Sequence, residues 1–318
     1  MSENEKNTIQ NAPLMQTNDQ ASASKVTDHP WLVSLHGGHS GEFCDHAEGP
    51  LADIVAAACG QGFSIYGVTE HAPRLEPELL YDEEKQMGWT NDMLVRMFDH
   101  YAARVATLAQ EYRGRLEVLR GFEAEVVPRE VYVARALDLK RKYQFDYLVG
   151  SVHFVAGYII DYRKDRFDAA CAACGGLEGL CIAYYRDYAA MCRDLKPEVA
   201  AHFDLVRRHA ADEESIATPA IRDAAFAALE AVKASGAILD INTGAYRKGF
   251  GRPYPAPWIL QEARRLGVPV CFGDDAHRAS EVGSHFAQAR DYVLAHGYTE
   301  ITALRRGGHG LTQVQIPL

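Results

Sequence analysis

The sequence predicts an α/β fold whose parallel strands close into a barrel, and two observations carry that expectation. Short β-branched or aromatic runs alternate about seven times with longer helical patterns, the rhythm of parallel strands joined by crossover helices. Polar residues with metal-binding or acid–base chemistry stand at or just beyond the C-terminal end of different runs: His36, His71, Glu123, His153, His202 and Asp275. An open sheet concentrates its site at one switch point, whereas a barrel gathers side chains from many strand ends onto one face.

The elements follow in order. Residues 1 to 25 are polar, without apolar periodicity, and read as a disordered tail ahead of one domain spanning 26 to 318. The first strand is Trp31 to His36, and Pro50 to Cys59 is a helix with proline at its start. Phe63 to Glu70 is the second strand, Asn91 to Tyr112 a long helix, and Leu116 to Glu123 the third strand. Arg129 to Tyr143 is helical, Phe145 to His153 extended, and a stretch near Gly179 to Leu195 helical again. Glu198 to His202, Ala237 to Asn242 and Val268 to Gly273 are the last strands. The helices Pro219 to Ser235 and Pro257 to Leu266 lie between them, each starting at a proline and ending at a glycine, and Ser280 to His296 is the last helix. No internal repeat or composition break marks a second domain.

With 318 residues, 47% of them hydrophobic, the chain is long enough for one sizeable core. Its 43 acidic against 33 basic residues leave a net charge of −10, and its basic runs are short. That balance argues against nucleic acid and is compatible with a small anionic substrate held by metal. The start lacks the basic and apolar pattern of a secretory signal, and no later run is apolar enough for a membrane helix, so a cytoplasmic protein is expected. The seven scattered cysteines do not read as a disulfide framework, and Cys171, Cys174, Cys181 and Cys192 read as buried or idle thiols instead of a zinc site. The sequence is silent on oligomeric state.

Of thirteen histidines, seven fall at strand ends beside small or polar residues: His36, His39, His46, His71, His153, His202 and His277. Neutral imidazoles and carboxylates on rigid elements are what divalent transition metals require. With Glu123 and Asp275 they make nine donors, too many for one ion and suited to two or three. Such a cluster suggests hydrolysis, because metals lower the pKa of bound water and neutralise charge on a transferring phosphoryl group. Glu123 and Glu125 alternate along one strand, so that one binds and the other supports or faces solvent; Glu123 is the expected ligand. Asp204 is a candidate orienting group. His29, His100, His209, His285, His296 and His309 read as surface or packing residues, with His209 the one closest in pattern to a substrate role. No GxSxG elbow, P-loop or GxGxxG fingerprint is present.

The series LHGGHSGEFCDHA, VTEHAP, GFEAE, FDYLVGSVHF, HFD, DINTGAYRK, YPAP and GDDAHR resembles the PHP (polymerase and histidinol phosphatase) superfamily, in its histidinol-phosphatase branch, over about residues 31 to 290. The resemblance implies a distorted (β/α)7 barrel of the PHP type and a cluster of two or three zinc, manganese or iron ions. It also implies hydrolysis of L-histidinol phosphate in histidine biosynthesis through a metal-bridging hydroxide. His36, His39, His46, His71, Glu123, His153, His202, Asp275 and His277 match the ligand positions of that pattern. One departure stands out: the first motif is His36-Gly37-Gly38-His39 where the family has His-x-His. The glycines are expected to let a bulged backbone bring both rings to the metals, with Asp45 the alternative to His46 as ligand. The same departure keeps open a PHP phosphoesterase acting on another phosphorylated metabolite or a nucleotide. Arg247, Lys248, Arg207 and Arg208 are candidates for holding phosphate. Glu70, His209 or a metal-bound water are candidates for the general acid, and Glu42 or Glu125 for meeting the amino or imidazole group.

Overall fold

In the computed structural model, which describes residues 29–308 and 310–318, the parallel strands are short, and isolated bridges extend their pairing. The predicted tail and His309 lie outside the described residues. In chain order the elements are β1 (Val33–Ser34), α1 (Leu51–Gly60), β2 (Ile65–Val68), α2 (Asp82–Gln86), α3 (Asn91–Glu111), β3 (Glu117–Arg120), β4 (Glu123–Glu125) and α4 (Tyr132–Tyr143). They continue with β5 (Val149–Ser151), β6 (Phe154–Val155), β7 (Tyr158–Ile159), α5 (Lys164–Ala173), α6 (Leu177–Asp194), β8 (Val199–Ala200), α7 (Pro219–Ser235) and β9 (Ile238–Asn242). The last are α8 (Gly244–Arg247), α9 (Pro257–Leu266), β10 (Val270–Gly273), α10 (Phe286–Ala295), β11 (Glu300–Gly307) and β12 (Gly310–Pro317).

Two parallel sheets, β1-β2-β3 and β10-β9-β8-β5-β4, join into a ring. Single bridges pair His71 with Glu123 and His36 with Gly273, and the second seam is tightened by Leu35 N–H donating to Phe272 O and Asp275 N–H donating to His36 O, each at 2.9 Å. With β3 and β4 taken as one interrupted strand, the ring has seven positions, the expected (β/α)7 arrangement. Both seams are made by candidate ligands, so closing the barrel and assembling the site are one event. Sequence patterning did not anticipate the β6–β7 hairpin, α5, or the antiparallel β11–β12 hairpin. The last helix begins at Phe286, later than Ser280, because Gly283 and His285 take left-handed backbone conformations.

The interior below the site is filled by tyrosine. Tyr147 donates from its hydroxyl to Leu35 O at 2.7 Å, and a Cβ on Gly67 would lie 1.9 Å from that hydroxyl oxygen. The chain therefore has glycine where the ring crosses β2. Tyr101, also fully buried, bridges Val68 O and Gly121 O. Such rings bury large apolar area while satisfying their polar tips, which gives the strand ends above them a rigid base. Among the described residues no single helix is long and apolar enough to cross a membrane.

Candidate metal centre

At the C-terminal ends of the strands, Glu123 is the hub. Its Oε1 lies 3.1 Å from His202 Nε2 and 3.5 Å from His153 Nε2, and its Oε2 lies 3.1 Å from His71 Nδ1, 3.7 Å from His36 Nε2 and 3.8 Å from His39 Nε2. Asp275 is a second meeting point, its Oδ1 being 3.3 Å from His39 Nε2 and 4.0 Å from His36 Nε2. His153 and His202 point their Nε2 atoms at each other across 3.3 Å. Among the described residues, donor atoms of His36, Glu123 and His202, of His36, His39 and Asp275, and of His71, Glu125 and His153 each lie within 4.8 Å of one another. His36 Nε2, His39 Nε2 and His71 Nδ1 are buried and have no hydrogen-bond partner. Buried ring nitrogens without partners, facing carboxylate oxygens, are the donor set a divalent cation satisfies, so these residues fit a metal cluster.

A further layer of carboxylates aims the rings. His36 Nδ1 is 2.9 Å from Asp240 Oδ2, His39 Nδ1 is 3.2 Å from Glu70 Oε2, and His153 Nδ1 is 3.1 Å from Glu125 Oε1. A carboxylate on one ring nitrogen fixes the tautomer and presents the other nitrogen to metal. Asp240 also accepts from Asn242 Nδ2 at 3.0 Å and from His202 N–H at 3.3 Å, so it organises two candidates, His36 and His202, at once. Glu125 is held in turn by the Tyr81 hydroxyl at 3.2 Å and by Arg74, whose guanidinium stacks 3.8 Å from the Tyr81 ring centre and pairs with Glu84.

The charges are set by this mutual company. Burial would raise the carboxyl of Glu123, but the surrounding histidines hold it well below the carboxylate range, and Asp275 is held down in the same way by His39 and His36. Glu125, against burial, is lowered to about 2 by His153 and Arg74. Burial would lower His39, yet Asp275 and Glu70 outweigh it and raise the ring to about 10. His71 and His277 are lowered by burial and by His39. The donors thus sit in a dense alternation of charge in the metal-free protein.

The altered first motif is accommodated by close packing. A Cβ on Gly37 would meet Gly67 O at 2.3 Å, and one on Gly38 would meet Ile54 Cγ2 at 2.6 Å. Gly37 N–H donates to Gly67 O at 2.9 Å and His39 N–H to Ala276 O at 2.7 Å, so the pair threads between β2 and the loop after β10. Both histidine rings reach the cluster, with centres 6.4 Å apart. His202 and Asp275 have φ of 25° and 49°, left-handed values that non-glycine residues adopt at a cost and that concentrate at functional positions.

Most predicted residues are brought together, and several are not. His277 stacks on His39 with centres 4.6 Å apart. His46 lies at the rim with its side chain 44% exposed, its ring 4.9 Å from that of His277. Glu70 is committed to His39, Ser40 N–H and the Ser40 hydroxyl. Glu42 accepts from Leu51 N–H at 2.6 Å, at the start of α1. Arg247 donates to Asp275 O and pairs with Glu281 at 3.2 Å, leaving Nη1 buried without a partner. Arg207 is buried, paired with Asp204 at 3.3 Å and packed between Phe250 and Tyr254; Arg208 reaches Lys248 O at 3.4 Å, and Lys248 Nζ lies 5.8 Å from the Tyr254 ring centre. Asp204 accepts from Ala256 N–H, so it fixes a loop and not a ligand ring. His209 packs edge-on to Phe167, with Nε2 buried and free of hydrogen bonds, and burial and Arg208 lower its pKa. Sequence reasoning missed Asp240, Arg74, Tyr81 and Asp161, whose Oδ1 is buried and unpartnered beyond the β6–β7 hairpin. For Asp240 a signal existed, a carboxylate inside the apolar run ILDIN; for the others only the fold supplies the position.

A parallel seven-position ring with this donor cluster at its C-terminal face defines the class of metal-dependent hydrolases built on distorted barrels. The chain belongs to the PHP domain family, which matches residues 35–244, and its relatives place it in the histidinol-phosphatase branch. It is 32% identical to the Schizosaccharomyces pombe protein named "Probable histidinol-phosphatase", over 87% of this chain and 91% of that one. It is 30% identical to the histidinol-phosphatase of Bacillus subtilis, over 76% of this chain and 92% of the relative. Its fold matches that of the Lactococcus lactis histidinol phosphate phosphatase, solved with zinc, L-histidinol and phosphate, at a TM-score of 0.64 and 18% identity, over 88% of this chain and 98% of that one.

Proposed function

We propose that this chain is a metal-dependent phosphatase that hydrolyses L-histidinol phosphate to L-histidinol and phosphate. The observation that carries the reading is the set of buried, unpartnered imidazole nitrogens converging on Glu123 and Asp275. The full-length similarity to histidinol-phosphatases supports the choice of substrate. His36, His39, His71, Glu123, His153, His202, Asp275 and His277, with His46 at the rim, would hold two or three divalent ions. When bound, such ions supply Lewis acidity toward phosphate oxygens and activate water at neutral pH.

The residues of the chain do the rest. Glu123 turns one oxygen toward His202 and the other toward His71, so a single carboxylate ties the two sides of the cluster together. Asp240, Glu70 and Glu125 hold the rings in the required tautomer. Arg247, which donates to Asp275 O beside the cluster and keeps Nη1 without a partner, would take a phosphate oxygen. In the reaction the phosphorus–oxygen bond to the alcohol breaks, a bond from phosphorus to a water oxygen forms, and the leaving alkoxide gains a proton. Glu70 is committed to His39, and burial and Arg208 lower His209, so the remaining candidate, a bound water, would supply that proton.

For the amino group of histidinol, Glu42 is occupied by Leu51 N–H, while Glu125 holds His153 and Tyr81 with Oε1 and keeps a buried Oε2 without a partner. Asp161 keeps an unpartnered oxygen and contributes to raising His153. Glu125 and Asp161 would each offer an oxygen to the ammonium. The test is phosphate release from L-histidinol phosphate measured beside sugar, nucleotide and other amino-alcohol phosphates. Selective release from histidinol phosphate is expected, and release confined to another compound would reassign the substrate.

A further inference from the structure

The loop that carries His39 and His46 also carries a donor outside the histidine pattern. Cys44 is 5% exposed, and its Sγ forms a group with a ring nitrogen from each of His39, His71 and His277, all four atoms lying within 4.8 Å of one another. Every other such group among the described residues has three members. His46 groups only with Cys44 and Asp45, at the exposed rim. Two further observations concern members of this group. His39 Nε2 is fully buried with no hydrogen-bond partner. A cavity of about 20 Å³ lies between Cys44, His46, Glu70, His71, Arg74 and Tyr81, enough for one water or ion.

We infer that Cys44 is a metal ligand, its thiolate sulfur binding the ion that His71 and His277 hold on the His46 side of the cluster. This rests on the proposed metal-dependent function for the presence of an ion at all. Binding is a simple exchange: the thiol loses its proton to solvent, and a sulfur–metal bond replaces the S–H bond. His46 lies beside the sulfur, with Nδ1 at 3.3 Å from Sγ and 2.9 Å from Asp45 Oδ1. The consequence is selectivity. A position with one soft thiolate among imidazoles favours zinc or ferrous iron over manganese or magnesium, which prefer oxygen donors.

The test uses the full-length protein loaded with zinc for X-ray absorption and with cobalt(II) for optical spectroscopy, with metal content measured on the same samples. A sulfur shell at about 2.3 Å and a thiolate-to-cobalt charge-transfer band in the near ultraviolet are expected in the unaltered protein. Both are lost in Cys44→Ser and retained in Cys59→Ser, which alters a thiol outside the cluster. Protein that binds metal and releases phosphate from histidinol phosphate, yet shows neither signal, overturns the inference and leaves the proposed function standing. Protein that takes up no metal overturns both. Because the unaltered protein gives the primary reading, the outcome does not depend on the variants folding.

Discussion

Strand β5 has an ionisable residue at each end, and the fold treats the two in opposite ways. Asp146, just before the strand, accepts from Arg120 N–H at 2.7 Å and from the side chains of Arg120 and Arg306, the latter reaching down from β11. His153, just after it, faces a second imidazole nitrogen at 3.3 Å and the carboxylate of Glu123 at 3.5 Å. The first arrangement is complete with protein atoms alone. The second is not, because nitrogens that cannot all donate to each other crowd around a few oxygens. Each buried polar group left unmatched costs about 1–3 kcal/mol, and a fold keeps several together where an added cation or ligand completes them. The N-terminal end of the barrel therefore stabilises, and the C-terminal end acts.

The largest effect that would break this contrast is expected at the hub. Glu123→Gln should lower kcat/KM on the order of 10³-fold and reduce bound metal, while the metal-free protein melts within a few degrees of the parent. Activity within tenfold of the parent would mean that the unmatched end is not the reacting centre. Asp240→Asn is expected to act more gently, through the aim of His36, with a loss of about 10–100-fold in activity or metal affinity. Metal titration followed by activity assay checks it, and an unchanged affinity and rate would remove Asp240 from the positioning role.

The response to pH sharpens the comparison. His39 is raised to about 10 in the metal-free protein because Asp275 and Glu70 outweigh burial. A group raised above its unfolded value stabilises fully below that value, about 6.5, and the contribution disappears as pH rises through about 10. The metal-free protein should therefore lose stability from about pH 6.5 upward, whereas metal, which displaces the proton, should bind more tightly over the same range and release protons as it does. Thermal melts of both forms, with proton release followed in weak buffer, decide this; a metal-free protein equally stable across that range would contradict it.

The smallest effect belongs to the other end. Asp146→Asn should destabilise by about 1–2 kcal/mol in denaturant unfolding and leave kcat unchanged, since Arg306 is partly exposed and screened. Burial would raise the Asp146 carboxyl, but hydrogen bonds from Arg306 and Arg120 lower it. Its contribution is thus present above its unfolded pKa, about 3.9, and is lost as pH falls through the lower folded value. A fall in kcat would show that the two ends are coupled.

Much of the acting end was legible in the sequence because its donors sit one or two residues past runs of recognisable strand period, as in TEH, SVH and DDAH. The stabilising end was not. The hairpin of β11 and β12, with Arg306 near its tip, has no counterpart in the sequence pattern, and the partners of Arg306, Glu117 and Asp146, are far away in sequence. Arg74 and Tyr81 escaped for a similar reason: they lie in the segment after β2, which has no period, and gain meaning only when folding sets them against Glu125. Gly37 and Gly38 were legible as a departure. What required the structure was the cause, the approach of that loop to Gly67 O and Ile54.

The central claim is that the unmatched C-terminal end is a metal-dependent phosphatase centre, and the most direct measurement strips the protein with chelator and then restores zinc or manganese. Phosphate release from L-histidinol phosphate and the thermal melt are followed together. The account predicts that release disappears with the metal and returns with it, while the chain stays folded throughout. Release that persists in protein shown to be metal-free, or that fails to appear in protein shown to be fully loaded, would contradict it.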